Sequence, residues 1–145
     1  MVCLGNICRS PLAHGIMEAK CEQLDLNWEI DSAGTSGWHI GEVPDARSIE
    51  VAKTNGIDIS NQKSRKFEKS DFQNYDLILA MDVSNFNDIL SLSNTEAERD
   101  KVRLILNYLY PNENRQVPDP YYEGGFEGVY KMLSLACDKF IEHHQ

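Results

Sequence analysis

The chain has 145 residues, of which 41% are hydrophobic and 26% are charged, and its formal net charge is −9 at pH 7. This length and composition predict one globular domain, residues 1–145, with a single core. The acidic balance, without a basic stripe, excludes a general nucleic-acid-binding protein. No apolar run has the length of a membrane span, and we expect neither a membrane partner nor a signal peptide.

The four cysteines, at positions 3, 8, 21 and 137, lack the dense spacing of a small secreted disulfide scaffold. A reduced, cytoplasmic protein is the better interpretation. Cys3 and Cys8 have no matching downstream Cys/His pair, so we expect no metal and no cofactor. Cys21 and His14 are predicted to be packing or surface residues, and Cys137 a buried small hydrophobe.

A short loop is predicted from Cys3 to Arg9, followed by a helix to about residue 24. Gly5 and Asn6 in the loop are the residue types that best tolerate left-handed backbone angles. Ser10 is predicted to be the N-cap of the helix, with Pro11 at the first helical position. Only two residues precede the loop, so we expect a longer apolar strand that begins before the first residue.

Residues 28–32 alternate apolar and polar side chains, which predicts a strand. The loop at 32–41 is rich in small residues and contains one indole, Trp38. This side chain is either a plug in the core or one wall of a substrate cleft, and composition does not decide between them. Residues 44–55 predict a helix that stops at Asn55-Gly56.

Residues 75–81 are short and apolar, typical of a strand buried on both faces. Asp82 is predicted to be the N-cap of a helix over 83–90. Asn94 is predicted to begin another helix, and residues 101–106 form a weaker strand.

Residues 127–143 predict a long amphipathic helix at the end of the chain. Because strands alternate with helices, the sequence predicts an α/β fold: a single domain with a four-stranded parallel sheet and helices on both faces. Ligands of such sheets bind beyond the carboxyl ends of the strands. The loop that begins at Cys3 is expected at that position.

The loop from Cys3 to Arg9 has the composition of an anion site. If it curls, its backbone N–H groups converge, and the positive end of the following helix lies behind them. Arg9 would add a planar fork for two phosphate oxygens. Cys3 would lie at the bottom, where the same field favours a thiolate. A nucleophile inside an anion site predicts removal of phosphate.

Such a reaction needs a carboxylic acid to protonate the leaving group, and the sequence singles out Asp119. Its neighbours Pro118 and Pro120 stiffen the backbone and hold the carboxylate in one direction. Tyr121 and Tyr122 beside it could border a slot for an aromatic ring. The alternative is an ordinary surface turn, since Asp and Pro are common turn residues.

The segment Cys3-Leu-Gly-Asn-Ile-Cys-Arg-Ser-Pro11 resembles the signature of the low-molecular-weight protein tyrosine phosphatases. Asp119-Pro-Tyr-Tyr122 is similar to the Asp-Pro motif of that family, and Ser32-Ala-Gly-Thr-Ser-Gly-Trp38 to its cleft loop. Residues 75–82 resemble its third strand with the acidic residue that follows. The match spans nearly the whole chain, in order.

The resemblance implies a metal-independent hydrolysis of phosphotyrosine monoesters through a phosphocysteine. Cys3 would be the nucleophile, Arg9 would bind the phosphate, and Asp119 would be general acid and then base. The implied partners are phosphotyrosine proteins, and inorganic phosphate or another oxyanion in the Cys3 loop. The other implied substrate-binding residues are Leu4, Gly5, Asn6, Ile7, Cys8 and Ser10 in the loop and Trp38, Tyr121 and Tyr122 along the cleft. Ser32, Asn6 and Ser10 would support the loop. Ser10 would also hydrogen-bond the thiolate and assist its departure.

The sequence departs from the family pattern at one place. Many relatives carry a histidine that supports the loop asparagine, where this chain has Gln62 or Asn61, depending on the alignment. Cys8 has two interpretations. It could capture oxidised Cys3 as a disulfide, or it could be a small packing residue.

Three rival functions share parts of the pattern. An arsenate reductase needs resolving thiols, and residues 82–136 contain no cysteine. Relatives that are protein-arginine phosphatases carry Thr where this chain has Ile7, which favours phosphotyrosine. A non-catalytic phosphate or phosphopeptide binder would need the loop but neither Cys3 nor Asp119.

Overall fold

Four short parallel strands form the centre of the computed structural model, which describes residues 1–145. Their order across the sheet is β2-β1-β3-β4. The strands are β1 (Val2–Cys3), β2 (Ala33–Gly34), β3 (Ile78–Ala80) and β4 (Val102–Leu104). The helices are α1 (Arg9–Gln23), α2 (Ala46–Thr54), α3 (Asp71–Asn74), α4 (Val83–Ser91), α5 (Glu96–Asp100), α6 (Pro120–Glu123) and α7 (Phe126–His144), with a 3-10 turn at Ile105–Asn107.

Helices cover both faces of the sheet, which confirms the predicted fold class. On one face, α1 and α7 pack together over Cys3 and Leu79, in a cluster of 20 buried residues. On the other face, α4 packs over Val2, Ile78 and Leu104, in a cluster of nine. Neighbouring residues of one strand therefore enter different cores, because successive side chains of a strand point to opposite faces.

The strand predicted over 28–32 is wrong. Strand β2 follows it, at Ala33–Gly34, and pairs with β1 and, through Gly34, with Lys66, whereas residues 28–32 pair with no strand. The alternation that suggested a strand has another cause: Trp28 and Ile30 pack against the core shared by α1 and α7. The strands predicted at 75–81 and 101–106 exist but are shorter, three residues each.

Most predicted helices are confirmed to within about two residues. Asp82 caps α4, because its carboxylate accepts the N–H of Asn85 at 2.7 Å. Helix α2 ends at Asn55, and Gly56 follows with φ +80°. Helices α3 and α6, four residues each, were not predicted. None of the helices is both long enough and apolar enough to cross a bilayer.

Helix α7 offers a matched pair of leucines that tests the packing between α1 and α7. Leu133 is fully buried, whereas Leu135 is 54% exposed. We expect Leu133→Ala to lower the free energy of unfolding by about 3 kcal/mol, since it leaves a cavity, and Leu135→Ala to change it by less than about 1 kcal/mol. Urea denaturation of both variants measures this. Equal losses would contradict the packing described here.

Candidate active site

The segment between β1 and α1 lies at the carboxyl edge of the sheet. Strand β1 ends at Cys3, and α1 begins at Arg9. Asn6 has the left-handed backbone predicted for it, with φ 57°. Gly5, the other residue of the loop that tolerates such angles, has no positive φ.

Two glycines mark close contacts of the loop. A Cβ on Gly34 would lie 2.8 Å from the carbonyl oxygen of Leu4, and one on Gly5 would lie 3.0 Å from Cδ2 of His39. Gly34 therefore approaches the backbone of the loop at a distance that only glycine permits, whereas Gly5 faces a side chain.

The carbonyl groups of this loop point outward, where neighbouring segments donate hydrogen bonds to them. Donors from three parts of the chain take part, so the loop is held from several sides. The bonds run from Thr35 N to Cys3 O (2.9 Å), Ser36 N to Leu4 O (2.9 Å), Asp45 N to Ile7 O (2.8 Å), Ser64 Oγ to Gly5 O (3.0 Å) and Ser48 Oγ to Cys8 O (3.4 Å).

The backbone N–H groups of the loop are left for a ligand. The N–H of Asn6 donates to the Sγ atom of Cys3 at 3.3 Å, and those of residues 4, 5, 7 and 8 donate to no protein acceptor. Four free donors next to the amino end of α1 are what an anion site requires. Cys3 is only 3% exposed, so it is a buried thiol and not a surface thiol.

A buried hydrogen-bond network holds the sulfur. The hydroxyl of Ser10 lies 3.1 Å from Cys3 Sγ, and the side-chain amide of Asn6 donates to Ser10 Oγ at 2.7 Å and to Ser32 Oγ at 3.0 Å. The prediction that Ser10 caps α1 is wrong. The helix begins two residues earlier than predicted, at Arg9, with Cys8 at the N-cap position and no side-chain cap. The Ser10 hydroxyl is engaged with Cys3 and Asn6 instead.

The guanidinium of Arg9 is buried between two carboxylates. Its Nη1 donates to Asp82 Oδ2 at 2.7 Å and to the carbonyl of Val117 at 3.0 Å, and its Nη2 lies 3.5 Å from Asp119 Oδ2. The side chain of Arg9 is 3% exposed. A buried cation needs groups that compensate its charge. An anion bound in the loop would compensate the charge of Arg9 in addition to the two carboxylates.

Asp119 contacts the arginine at the end of the loop. Its Oδ1 accepts the N–H of Tyr121 at 3.1 Å and so caps α6, while its Oδ2 faces Arg9. Pro120 is at the first helical position, where a missing N–H costs nothing. The structure thus joins Arg9, at the end of the loop that begins at Cys3, to Asp119.

A family model described as low molecular weight phosphotyrosine protein phosphatase matches residues 1–145. The chain belongs to this family. A Schizosaccharomyces pombe protein of that description is 44% identical over 146 residues, which cover 97% of this chain and 92% of the yeast protein. The resemblance proposed from the sequence is therefore confirmed, and with it membership in a family of hydrolases of the protein-tyrosine-phosphatase class.

Solved structures of other proteins share this fold. A protein tyrosine phosphatase from Entamoeba histolytica, with Hepes in its active site, matches with a TM-score of 0.91 at 37% identity, covering 99% of this chain and 93% of that one. The Drosophila arginine phosphatase matches with a TM-score of 0.91 at 33% identity, covering 99% and 95%.

The aromatic side chains expected along the cleft are exposed. Trp38 is 70% exposed, so of its two interpretations the core plug is wrong. The residue after it, His39, packs on Gly5, so this segment lies beside the loop from Cys3 to Arg9. Tyr121 and Tyr122 are exposed too, with their ring centroids 5.0 Å apart.

Cys8 is a poor nucleophile in this structure. Burial raises the pKa of its thiol to about 12, and the negative charges of Asp45 and Cys3 act in the same direction. The thiol is therefore neutral at neutral pH, which favours packing over rapid capture of an oxidised Cys3. The protective disulfide stays a prediction.

Sequence reasoning did not find that Asp82 and His14 contact the site, and it left open whether Gln62 supports Asn6. Asp82 was assigned only a capping role, although it also pairs with Arg9. His14 was assigned to packing or surface, yet its Nδ1 atom lies 3.2 Å from Ser32 Oγ. Gln62 donates to the carbonyl of Pro11 at 3.1 Å and makes no bond to Asn6. No local signal marks these contacts, since each joins segments distant in the sequence.

The pair between Arg9 and Asp82 is expected to stabilise the fold. Asp82→Asn keeps a side chain that can cap α4 but removes the charge opposite a buried guanidinium. We expect it to lower the free energy of unfolding by about 3 kcal/mol in phosphate-free buffer, and added phosphate to restore part of the loss.

The matched control is Asp88→Asn, an exposed residue of the same helix. Urea denaturation with and without inorganic phosphate measures both variants. If the two lose the same stability, Asp82 does not compensate Arg9.

Proposed function

We propose that this chain hydrolyses phosphotyrosine in proteins through a phosphocysteine intermediate. The observation that carries the proposal is the loop between Cys3 and Arg9, in which the N–H groups of residues 4, 5, 7 and 8 have no protein acceptor and the Arg9 guanidinium lies 3.5 Å from the Asp119 carboxylate. Family membership supports the reaction class.

In the first step the thiolate of Cys3 attacks phosphorus and the bond from phosphorus to the phenolic oxygen breaks. Asp119, protonated at that moment, gives its proton to the departing oxygen. The loop N–H groups and Arg9 bind the three equatorial oxygens, whose charge they stabilise throughout.

In the second step a water molecule attacks the phosphocysteine. Asp119, now a carboxylate, takes a proton from the water, and the bond between sulfur and phosphorus breaks to release phosphate. The departing thiolate accepts hydrogen bonds from Ser10 and from the N–H of Asn6, which lie 3.1 and 3.3 Å from the sulfur.

Exposed aromatic side chains favour an aromatic substrate. Trp38, Tyr121 and Tyr122 present exposed rings, and stacked aromatic pairs add to the energy of area burial. Because an arginine phosphatase shares the fold, turnover of phosphotyrosine and phosphoarginine peptides should be compared. We expect the phosphotyrosine peptide to be the better substrate.

An arsenate reductase would need a second, reactive thiol to resolve the adduct on Cys3, and this chain does not offer one. Cys137 is fully buried in α7, and burial raises the pKa of its thiol to about 12. All four cysteines are unpaired, the state that a reducing compartment maintains, and we predict the cytoplasm.

Cys3→Ser tests the nucleophile. We expect it to abolish turnover of p-nitrophenyl phosphate while phosphate still binds, because the loop N–H groups and Arg9 remain. Steady-state assays and calorimetric titration with inorganic phosphate measure the two properties. Normal turnover by the variant would end this assignment, and a wild-type protein that binds phosphate but hydrolyses no aryl phosphate would be a binding protein.

Asp119→Ala tests the acid. We expect hydrolysis of phenyl phosphate to slow by roughly 10²–10⁴, with a much smaller effect on esters whose leaving groups need no proton. A series of substituted phenyl phosphates measures this dependence, and Glu123→Ala, an exposed residue of α6, serves as the control. An equal loss across the series would contradict the acid role.

A further inference from the structure

The network beneath Cys3 continues beyond the loop to a histidine on α1. Ser32 Oγ, which accepts a hydrogen bond from Asn6, lies 3.2 Å from Nδ1 of His14. The other ring nitrogen of His14, Nε2, lies 3.2 Å from a carboxylate oxygen of Glu18, one turn further along the helix. A continuous path of polar contacts thus joins Glu18 to the sulfur of Cys3.

The direction of each hydrogen bond follows from a count of donors and acceptors. The backbone N–H of Arg65 donates to Asn6 Oδ1 at 3.1 Å, which identifies the amide end that carries the hydrogens. Those two hydrogens go to Ser10 Oγ and Ser32 Oγ. Each hydroxyl must therefore direct its own proton elsewhere.

Each hydroxyl has a clear acceptor for that proton. The hydroxyl of Ser10 has the sulfur of Cys3 at 3.1 Å, with the carbonyl of Ala33 more distant at 3.5 Å. The hydroxyl of Ser32 has Nδ1 of His14. This contact requires an unprotonated Nδ1, so the ring proton resides on Nε2 and points to Glu18.

The surroundings of His14 favour this neutral form. Its side chain is 12% exposed, and burial lowers its pKa, although the charge of Glu18 acts in the opposite direction. The other charged groups near the ring are Asp31, which raises the pKa, and the amino group of Met1, which lowers it. Protonation of Nδ1 would remove the acceptor of the Ser32 hydroxyl.

We propose that His14 is a positioning residue for the Cys3 site: it accepts the Ser32 hydroxyl proton and so holds Asn6 in the orientation that turns the Ser10 hydroxyl toward the sulfur. The inference rests on the proposed function in that Ser10 assists departure of the Cys3 thiolate. His14 itself contacts neither the sulfur nor the substrate.

The first test uses the unaltered protein and no substrate. Two-bond proton–nitrogen NMR correlation at about pH 7.5, above the ordinary pKa of histidine, distinguishes the ring nitrogen that carries the proton. Four histidines are present, and the loss of one spin system in His14→Asn assigns the signals. We expect His14 with its proton on Nε2, and a proton on Nδ1 would overturn the proposal.

The second test compares two amides at position 14. In His14→Asn the amide oxygen takes the place of Nδ1, whereas in His14→Gln the amide reaches the place of Nε2. We expect His14→Ala and His14→Gln to slow breakdown of the phosphoenzyme on the order of fivefold, as for the loss of one hydrogen bond. His14→Asn should stay within about twofold of the wild type.

The readouts are the steady phase after the burst in rapid-mixing assays and the rate of Cys3 alkylation by iodoacetamide as a function of pH. Glu22→Ala, an exposed residue of α1, is the control, and thermal denaturation verifies that each variant is folded. If Asn and Ala at position 14 behave alike, His14 has only a packing role.

The two tests also separate this inference from the proposed function. The NMR and alkylation measurements require no turnover, so they decide the role of His14 even if the protein hydrolyses no phosphate ester. Loss of activity in Cys3→Ser with an Nδ1 proton on His14 would leave the phosphatase proposal standing and reject only the positioning role.

Discussion

The structure depends on the outward orientation of five carbonyl groups in the loop after β1. A loop that directs its N–H groups toward a common centre must turn its carbonyls away from it, and buried carbonyls need donors. Three separate parts of the chain supply them: the residues after β2, the start of α2 and the segment at Ser64. The conformation of the loop therefore depends on donors as distant in the sequence as Ser64.

Charge imposes a second constraint on the same site. The chain carries a net charge of −9, and its anion site needs a concentrated positive potential. Burial of Arg9 provides this, because a guanidinium with little contact to water acts at low dielectric. The same burial requires compensation, which Asp82 supplies at 2.7 Å and Asp119 at 3.5 Å. The shorter contact makes Asp82 the main partner of Arg9.

Much of the site was predictable because its parts are close together in the sequence. Cys3, Asn6 and Arg9 lie in one loop, and the left-handed angle of Asn6 follows from its residue type. Asp119 was identifiable from its flanking prolines. The capping role of Asp82 was predictable because a cap bonds to a residue within one turn of its own helix, close by in the sequence.

The sequence by itself determined the family, the alternation of strands and helices, and the identity of the loop, because these depend on residue types at short spacing. Only the tertiary structure decided that residues 28–32 form no strand, that Ser10 does not cap α1, and that His14 and Asp82 contact the site. Strand pairing, burial and hydrogen bonds between distant segments depend on where the chain places its neighbours. A local pattern, such as the alternation around Trp28, is compatible with pairing to a neighbouring strand and equally with packing of an irregular segment against helices.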